Sequence, residues 1–178
     1  MKKNIPTNLI KELEWSITKI VSRVKSEARL AGLKVVPNWK DKVSSAALDT
    51  SVDVPLAGDN HNLYCFSASQ TLKLLHVVQQ LYPNKQIVSS GSFLYPETGY
   101  MGWHTNSDAP CTRLYITYKD GDGESFFRYL NSDNEVITDY DDDGITIREF
   151  NIPELPEQLW HCVGSECDRY SFGFKIKG

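Results

Sequence analysis

The sequence has no apolar run approaching 18 residues, so we expect no membrane-spanning helix. Behind Lys2 and Lys3 there is none of the apolar stretch that a secretory leader has, which favours a cytoplasmic protein. The four cysteines form no CxxC pair, which favours reduced thiols over a disulfide framework. The 19 basic and 23 acidic residues give no excess of positive charge, so a nucleic-acid partner is not expected. A chain of 178 residues is the size of a single domain with one core.

Two amphipathic patterns stand in the first half of the sequence. Apolar residues recur every three or four positions after Thr7, which predicts a helix that Thr7 or Asn8 caps and Gly32 ends. Ser67 and Gln70 have the spacing of a capping box, and the apolar pattern that follows predicts a second helix, ended by the next proline. Both helices need a surface on which to bury their apolar faces.

After Gln86 the pattern changes to short apolar or alternating runs between Gly, Asp and Asn turns, which predicts the strands of a jelly roll or small barrel. Residues 33–66 have weak periodicity and are expected to be loop with room for one short strand. We therefore expect a mainly β single domain, in which residues 1–85 support a jelly-roll core of residues 86–178. The acidic segment 139–143 is predicted to be a solvated hairpin turn, since it lacks the spacing of a calcium-binding loop.

His104 opens a segment that can be read as metal-binding. Residues two apart on an extended strand share a face, so a histidine and a carboxylate at that spacing can aim at one ion. Here the residue at that spacing is Asn106, a weaker neutral ligand. The nearest carboxylate, Asp108, needs a bend through Ser107 to reach the same point. Taken alone, the segment also fits a polar surface loop.

The segment after His161 strengthens the metal-binding hypothesis. In "RYSFGFKI", alternation places Arg169, Ser171 and Lys175 on one face of a strand and an apolar row on the other, which we expect to carry the two helices. Inward cations are costly in an empty core but suit a bound dianion, because an arginine offers a carboxylate two parallel N–H groups. Two histidines and one carboxylate leave a metal open positions for an oxo-acid and dioxygen. We therefore expect an oxygenase.

At this point the sequence resembles the 2-oxoglutarate- and Fe(II)-dependent dioxygenase superfamily, and within it is similar to the AlkB-type and prolyl-hydroxylase-type branches. The resemblance covers residues from about 86 to 178. It implies a double-stranded β-helix, a jelly roll whose two sheets hold the metal between them. The residues that carry it, in order, are Tyr95, Gly99, His104, His161, Arg169 and Ser171.

The resemblance implies that His104 and His161 bind Fe(II), but the family has an aspartate where this chain has Asn106. Three arrangements stay open. Asp108 supplies the carboxylate from a bulged loop, which we favour, or Asn106 ligates through its amide oxygen. In the third arrangement the iron keeps only two protein ligands and an open position for water or halide, as in halogenating relatives.

The resemblance also implies the 2-oxoglutarate site. Arg169 matches the arginine that pairs with the distal carboxylate of the co-substrate, and Ser171 is its hydroxyl partner. Tyr95 matches a tyrosine that reaches the same molecule, and Lys175 stands where some members carry a second cation. Several other residues are candidates for the pocket and its rim, each equally compatible with ordinary packing or surface: Tyr100, Trp103, Arg113, Phe126 and Arg128.

The implied reaction is hydroxylation of a small-molecule or peptidyl substrate by dioxygen, with release of succinate and carbon dioxide. The fold does not choose among substrates. The rival hypothesis is a non-catalytic jelly-roll binding protein with a degenerate metal site. A third hypothesis is a structural zinc site that combines His161 with Cys162 or Cys167, although these residues lack the paired spacing of a zinc finger.

Overall fold

The computed structural model describes residues 2–51, 60–106, 110–154 and 157–178. The helices are α1 (Thr7–Ala31), α2 (Trp39–Lys42) and α3 (Leu72–Leu81), with 3-10 turns at Ser45–Ala47 and Ala68–Thr71. The strands are β1 (His61–Asn62), β2 (Tyr64–Cys65), β3 (Gln86–Tyr95), β4 (Gly99–His104), β5 (Cys111–Asp120), β6 (Ser125–Leu130), β7 (Val136–Tyr140), β8 (Gly144–Ile152), β9 (His161–Ser165) and β10 (Asp168–Lys177).

In the described part of the chain these strands form two antiparallel sheets. The first sheet has the order β2-β3-β10-β5-β8, and the second has the order β1-β4-β9-β6-β7. Except for the consecutive pairs β2–β3 and β6–β7, strands that are neighbours in a sheet come from distant parts of the sequence, as in a jelly roll. The predicted fold class, a mainly β jelly roll with flanking helices, is confirmed. Among the described residues, no helix combines the length and the apolarity needed to cross a membrane.

Helix α1 follows the predicted pattern, and Gly32 ends it. Gly32 has a φ of 66°, a left-handed conformation that glycine adopts without a steric cost, and its N–H donates to the carbonyl of Arg29. The predicted cap at Thr7 or Asn8 is wrong. Pro6 precedes the first helical residue and has no capping side chain, and its carbonyl accepts the first hydrogen bonds of the helix.

The prediction that both helices pack on the apolar face of the last strand is confirmed. Tyr170, Phe172 and Phe174 of β10 are almost fully buried in one apolar cluster with residues of α1 and α3. Burying a phenylalanine side chain contributes about 2 kcal/mol, so this face is a main source of stability. Its alternate residues consequently point to the space between the two sheets.

Residues 33–66 contain more regular structure than predicted. Besides α2 and a 3-10 turn, β1 adds to the edge of the second sheet and β2 to the edge of the first. Trp39 of α2 packs on the outer face of the second sheet, where its ring stacks on Phe126 at a centroid distance of 6.3 Å. The capping box of Ser67 and Gln70 is confirmed, with both of its hydrogen bonds formed.

Candidate functional site

A β-bulge in β4 sets the direction of His104. Between the pairs that Met101 and His104 make with β9, β4 has one residue more than β9 has. The extra residue lets two side chains three positions apart both reach the space between the sheets. Gly102 lies in the bulge, where its N–H donates to the carbonyl of Asn60 at 2.8 Å. A Cβ at Gly102 would lie 1.9 Å from the Asn60 Oδ1, so the side-chain-free residue allows this close approach.

His161 of β9 lies directly opposite His104, and their ring centroids are 4.2 Å apart. Each Nδ1 is held by a main-chain carbonyl two residues earlier, that of Gly102 at 2.8 Å and that of Leu159 at 2.9 Å. An Nδ1–H that donates to such a carbonyl fixes the tautomer in which Nε2 carries the lone pair. Burial and the neighbouring His104 hold the pKa of His161 well below its usual value, so the ring is the neutral form that a metal requires.

Asn106 reaches the same point. Its Nδ2 lies 3.1 Å from the Nε2 of His161, and a half-turn of the amide brings Oδ1 there instead. Two imidazoles anchored through Nδ1 and an amide oxygen therefore fit a metal ion. Within the described residues, no three His, Cys, Asp or Glu side chains form a metal-binding group. Asp108, the favoured third ligand, lies outside the described residues.

The cysteines named in the zinc hypothesis lie elsewhere. The Sγ of Cys162 is 3.6 Å from the carbonyl of Val43, in the cluster on the outer face of the second sheet. Burial raises the pKa of this thiol. The Sγ of Cys167 is 3.5 Å from the carbonyl of Gly123. Neither of these contacts brings a thiol to His161, so the described contacts give the zinc hypothesis no support.

Arg169 is buried and points inward as expected, and its partner is a carboxylate of the chain. Its Nε donates to the Asp141 Oδ2 at 2.8 Å, and its Nη2 donates to the Thr117 Oγ1 at 3.2 Å. Its Nη1 is buried without a partner in the described residues. The guanidinium lies over the ring of Tyr95, 5.1 Å from the centroid. One N–H-bearing nitrogen of Arg169 therefore remains for a bound anion.

Asp141 joins Arg169 to a second buried arginine, Arg148. Arg148 donates from Nη1 to Asp141 and from Nε to the Asp139 Oδ2 at 2.9 Å. Two guanidinium groups and two carboxylates thus balance in charge, and we call these four residues the Arg–Asp cluster. Burial alone would raise the pKa of Asp141, but Arg169 and Arg148 lower it to about 2. The prediction of a solvated turn is therefore wrong at Asp141, which is 8% exposed.

The space beside the two histidines is small. It measures about 30 Å³, enough room for an ordered water molecule, whereas ligand pockets measure roughly 300–1,000 Å³. Tyr95 and Ser171 line it together with Arg169, so the predicted co-substrate residues are brought to the histidines. A molecule the size of 2-oxoglutarate has to displace side chains to enter. Lys175 is half-buried and does not line this space.

Most of the candidate rim residues lie away from the histidines. Tyr100, Trp103 and Phe126 belong to the cluster on the outer face of the second sheet, and the Trp103 Nε1 donates to the carbonyl of Ser44 at 2.7 Å. Arg128 donates to the carbonyl of Val43, next to the same cluster. Arg113 is different, because it is 3% exposed and lies on the inward face of β5.

Comparison with known proteins identifies the fold. No protein-family model matches the chain, and no curated protein matches it. A prolyl-4-hydroxylase from Pseudomonas putida aligns with 99% of this chain and 91% of its own, at 12% identity and a TM-score of 0.51. A prolyl hydroxylase from Trichoplax adhaerens, in complex with a hypoxia inducible factor oxygen degradation domain peptide fragment, aligns with 99% and 82%, at 12% identity and a TM-score of 0.57.

The chain has the fold of the prolyl hydroxylases. The resemblance read from the sequence is thus confirmed for the architecture. At 12% identity these comparisons establish the fold alone, so any inference about activity or substrate has to come from the residues of this chain.

Asp141 and Arg148 were not among the predicted site residues. Asp141 stands in an acidic run typical of a solvated turn, and nothing local distinguishes it from its neighbours. Arg148 is easier to recognise from the sequence. It lies in the run "GITIREF" at an alternate position, where a strand that faces a core usually has an apolar residue. An inward arginine needs a counter-charge, and the nearest acidic turn could have been proposed as its source.

Proposed function

We propose that the chain is a mononuclear non-haem Fe(II) enzyme that hydroxylates a substrate with dioxygen and 2-oxoglutarate. The observation that carries the proposal is the pair of the half-buried His104 and the buried His161 between the sheets of a prolyl-hydroxylase fold, with each Nδ1 held by a carbonyl. A divalent metal needs oriented imidazoles whose Nε2 carries the lone pair, which is the orientation that these carbonyl contacts favour. We propose Asp108 as the third ligand, with Asn106 or an open position as the alternatives.

The protein's own contribution is orientation and shielding. The carbonyls of Gly102 and Leu159 fix both histidines in direction, and burial holds the pKa of His161 low, so no proton has to leave His161 when a cation binds. The rings of Phe127 and Phe150 lie 5.2 and 6.1 Å from the ring of His161 and exclude water from that side. When bound, Fe(II) and 2-oxoglutarate would supply the oxidising chemistry, with succinate and carbon dioxide as products.

The co-substrate contacts follow from the residues on the first sheet. Arg169 offers its Nη1 to the far carboxylate, and Ser171 is one alternate position further along the same strand. Burial raises the pKa of Tyr95, so the phenol stays protonated and can donate a hydrogen bond. We propose Lys175 as an additional positive charge outside this group. The substrate is a small molecule or a peptide side chain.

The direct test is anaerobic difference absorption with Fe(II) and 2-oxoglutarate. A weak charge-transfer band in the visible range is expected, because both ligands must share one metal to produce it. Succinate release in air, measured without added substrate, tests turnover independently. The rival, a binding protein with a degenerate site, predicts neither signal, and absence of both in protein that binds Fe(II) would reject the proposal in its favour. Lys177→Met, a change at the exposed end of β10, is the matched control.

A further inference from the structure

Arg113 and Lys175 lie directly opposite each other on neighbouring strands of the first sheet. Across the sheet, the inward row runs from Val88 through Lys175 and Arg113 to Phe150. Arg113 is 3% exposed, while Lys175 is half-buried and Val88 is exposed. The row therefore leads from the surface at β3 into the space between the sheets, with the two cations in its middle.

These two cations have no counter-charge in the described part of the chain. No ion pair or hydrogen bond involves either side chain there, and the Arg113 Nε is fully buried without a partner. Like charges directly opposite on neighbouring strands are destabilising, and a buried N–H of a guanidinium without a partner adds to that cost. Such an arrangement lowers the stability of the folded protein unless a bound anion supplies the missing negative charge.

The Arg–Asp cluster shows that the lack of negative charge at Arg113 and Lys175 is local. There, Arg148 and Arg169 are matched by Asp139 and Asp141, and the charges cancel. At Arg113 and Lys175, by contrast, the described residues supply no carboxylate to cancel the two positive charges. An anion that enters the space between the sheets therefore gains more from Arg113 than from Arg169, whose Nε and Nη2 already have partners.

Arg113, the buried member of this pair, lies close to the histidines. Phe150 is the direct neighbour of Arg113 across the sheet, and its ring centroid is 6.1 Å from that of His161. The ring of Tyr115, two residues after Arg113, stacks on Phe150 at 5.3 Å. One aromatic ring, that of Phe150, thus lies next to both Arg113 and the candidate metal site.

We propose that Arg113 and Lys175 form an anion-binding subsite that holds a carboxylate of a small molecule bound in the site. The Nε edge of a guanidinium presents two parallel N–H groups, and a planar carboxylate matches them in a bidentate pair. Lys175 adds a point charge from the solvent side. The carboxylate belongs either to the co-substrate or to the substrate, and the test separates these sources. Naming the source of the carboxylate rests on the proposed function, whereas anion binding at the subsite itself requires neither a metal nor turnover.

The test measures thermal unfolding of the metal-free protein in 2-oxoglutarate, acetate or inorganic phosphate, each matched in ionic strength with chloride. Carboxylates are expected to raise the Tm of the wild type saturably, because they bind only the folded protein. In Arg113→Met the fitted dissociation constant should rise at least tenfold, and in Lys175→Met severalfold. Lys177→Met, two positions along the same strand and exposed, should respond like the wild type.

The Tm in chloride gives a second, independent signature. Because Arg113→Met removes an uncompensated buried charge, its Tm in chloride should be no lower than that of the wild type. If this variant did not fold, the partly exposed Lys175→Met would still provide the binding comparison. Loss of the response to 2-oxoglutarate assigns the subsite to the co-substrate, and loss of the response to acetate alone assigns it to a substrate carboxylate. Equal carboxylate responses in the wild type and both variants, or a stronger response to phosphate, would overturn the proposal.

Discussion

Removal of the Asp141 carboxylate is the sharpest perturbation that the structure offers. Its side chain is fully buried and accepts hydrogen bonds from Arg148, Arg169 and Ser125. In Asp141→Ala, Arg148 keeps Asp139, but Arg169 keeps only a neutral hydroxyl partner. Breaking a buried ion pair from one side costs about 3 to 5 kcal/mol, because a desolvated charge is left behind. For a chain of this size that lowers the Tm by roughly 10 °C.

The assay is urea denaturation followed by two probes, which also checks that the transition stays two-state. Adding Arg169→Met to Asp141→Ala removes the stranded charge, so the double variant should recover part of the loss. The coupling is expected to be about 1 to 3 kcal/mol. A cost below about 1 kcal/mol for Asp141→Ala would refute the reasoning, since it would mean that water already solvates the Arg–Asp cluster.

The same carboxylate gives a stability that depends on pH. The folded pKa of Asp141 is about 2, below its ordinary value of 3.8, so the unfolded chain takes up the proton first as the pH falls. The contribution is fully present above about pH 4 and is lost as the pH falls through 2. It amounts to roughly 2 kcal/mol. Asp141→Asn should lose this part of the acid dependence, and an unchanged slope in that window would contradict the assignment.

Three further predictions concern the site. His104→Ala and His161→Ala should each abolish Fe(II) binding in titration with a largely unchanged fold, and full affinity in either variant would remove that residue from the ligands. Arg169→Ala should weaken 2-oxoglutarate binding by about 2 to 5 kcal/mol in calorimetry with little change for Fe(II), whereas a purely structural role would lower only the Tm. Asp108→Ala should reduce Fe(II) affinity more than Asn106→Ala, because an anionic oxygen offsets the metal's charge better than an amide does; the reverse order would make Asn106 the ligand.

The elements that could be predicted are those long enough to show their period. Helix α1 repeats its apolar contacts over seven turns, and β10 alternates over ten residues, so both faces of each were readable. The strands β1 and β2 have two residues each, and a period cannot be read from two positions. They exist because the edges of β4 and β3 offer hydrogen bonds to them, which is a property of the assembled sheets.

The bulge at Gly102 interrupts the alternation of side chains in β4, so alternation alone does not predict which side chains reach the site. Strict alternation relates His104 to Asn106, and both do approach His161. It does not relate His104 to Met101, which the extra residue in β4 brings to the same side. The bulge depends on the close contact with Asn60, a residue more than forty positions earlier in the sequence. The residue pattern within β4 cannot predict such a contact with a residue distant in the sequence.

The inward-facing arginines show which properties of the site could be predicted from the sequence and which could not. Alternation on β10 correctly turned Arg169 inward, and electrostatics correctly required an anion beside it. The sequence could not say whether the anion came from a ligand or from the chain, and at Arg169 most of it comes from Asp141. Arg113 lies on a neighbouring strand under the same requirement, and the described chain offers it no carboxylate. The two arginines therefore differ in how much a bound anion would stabilise them. A carboxylate bound at Arg113, next to Lys175, would relieve a greater electrostatic cost than one bound at Arg169.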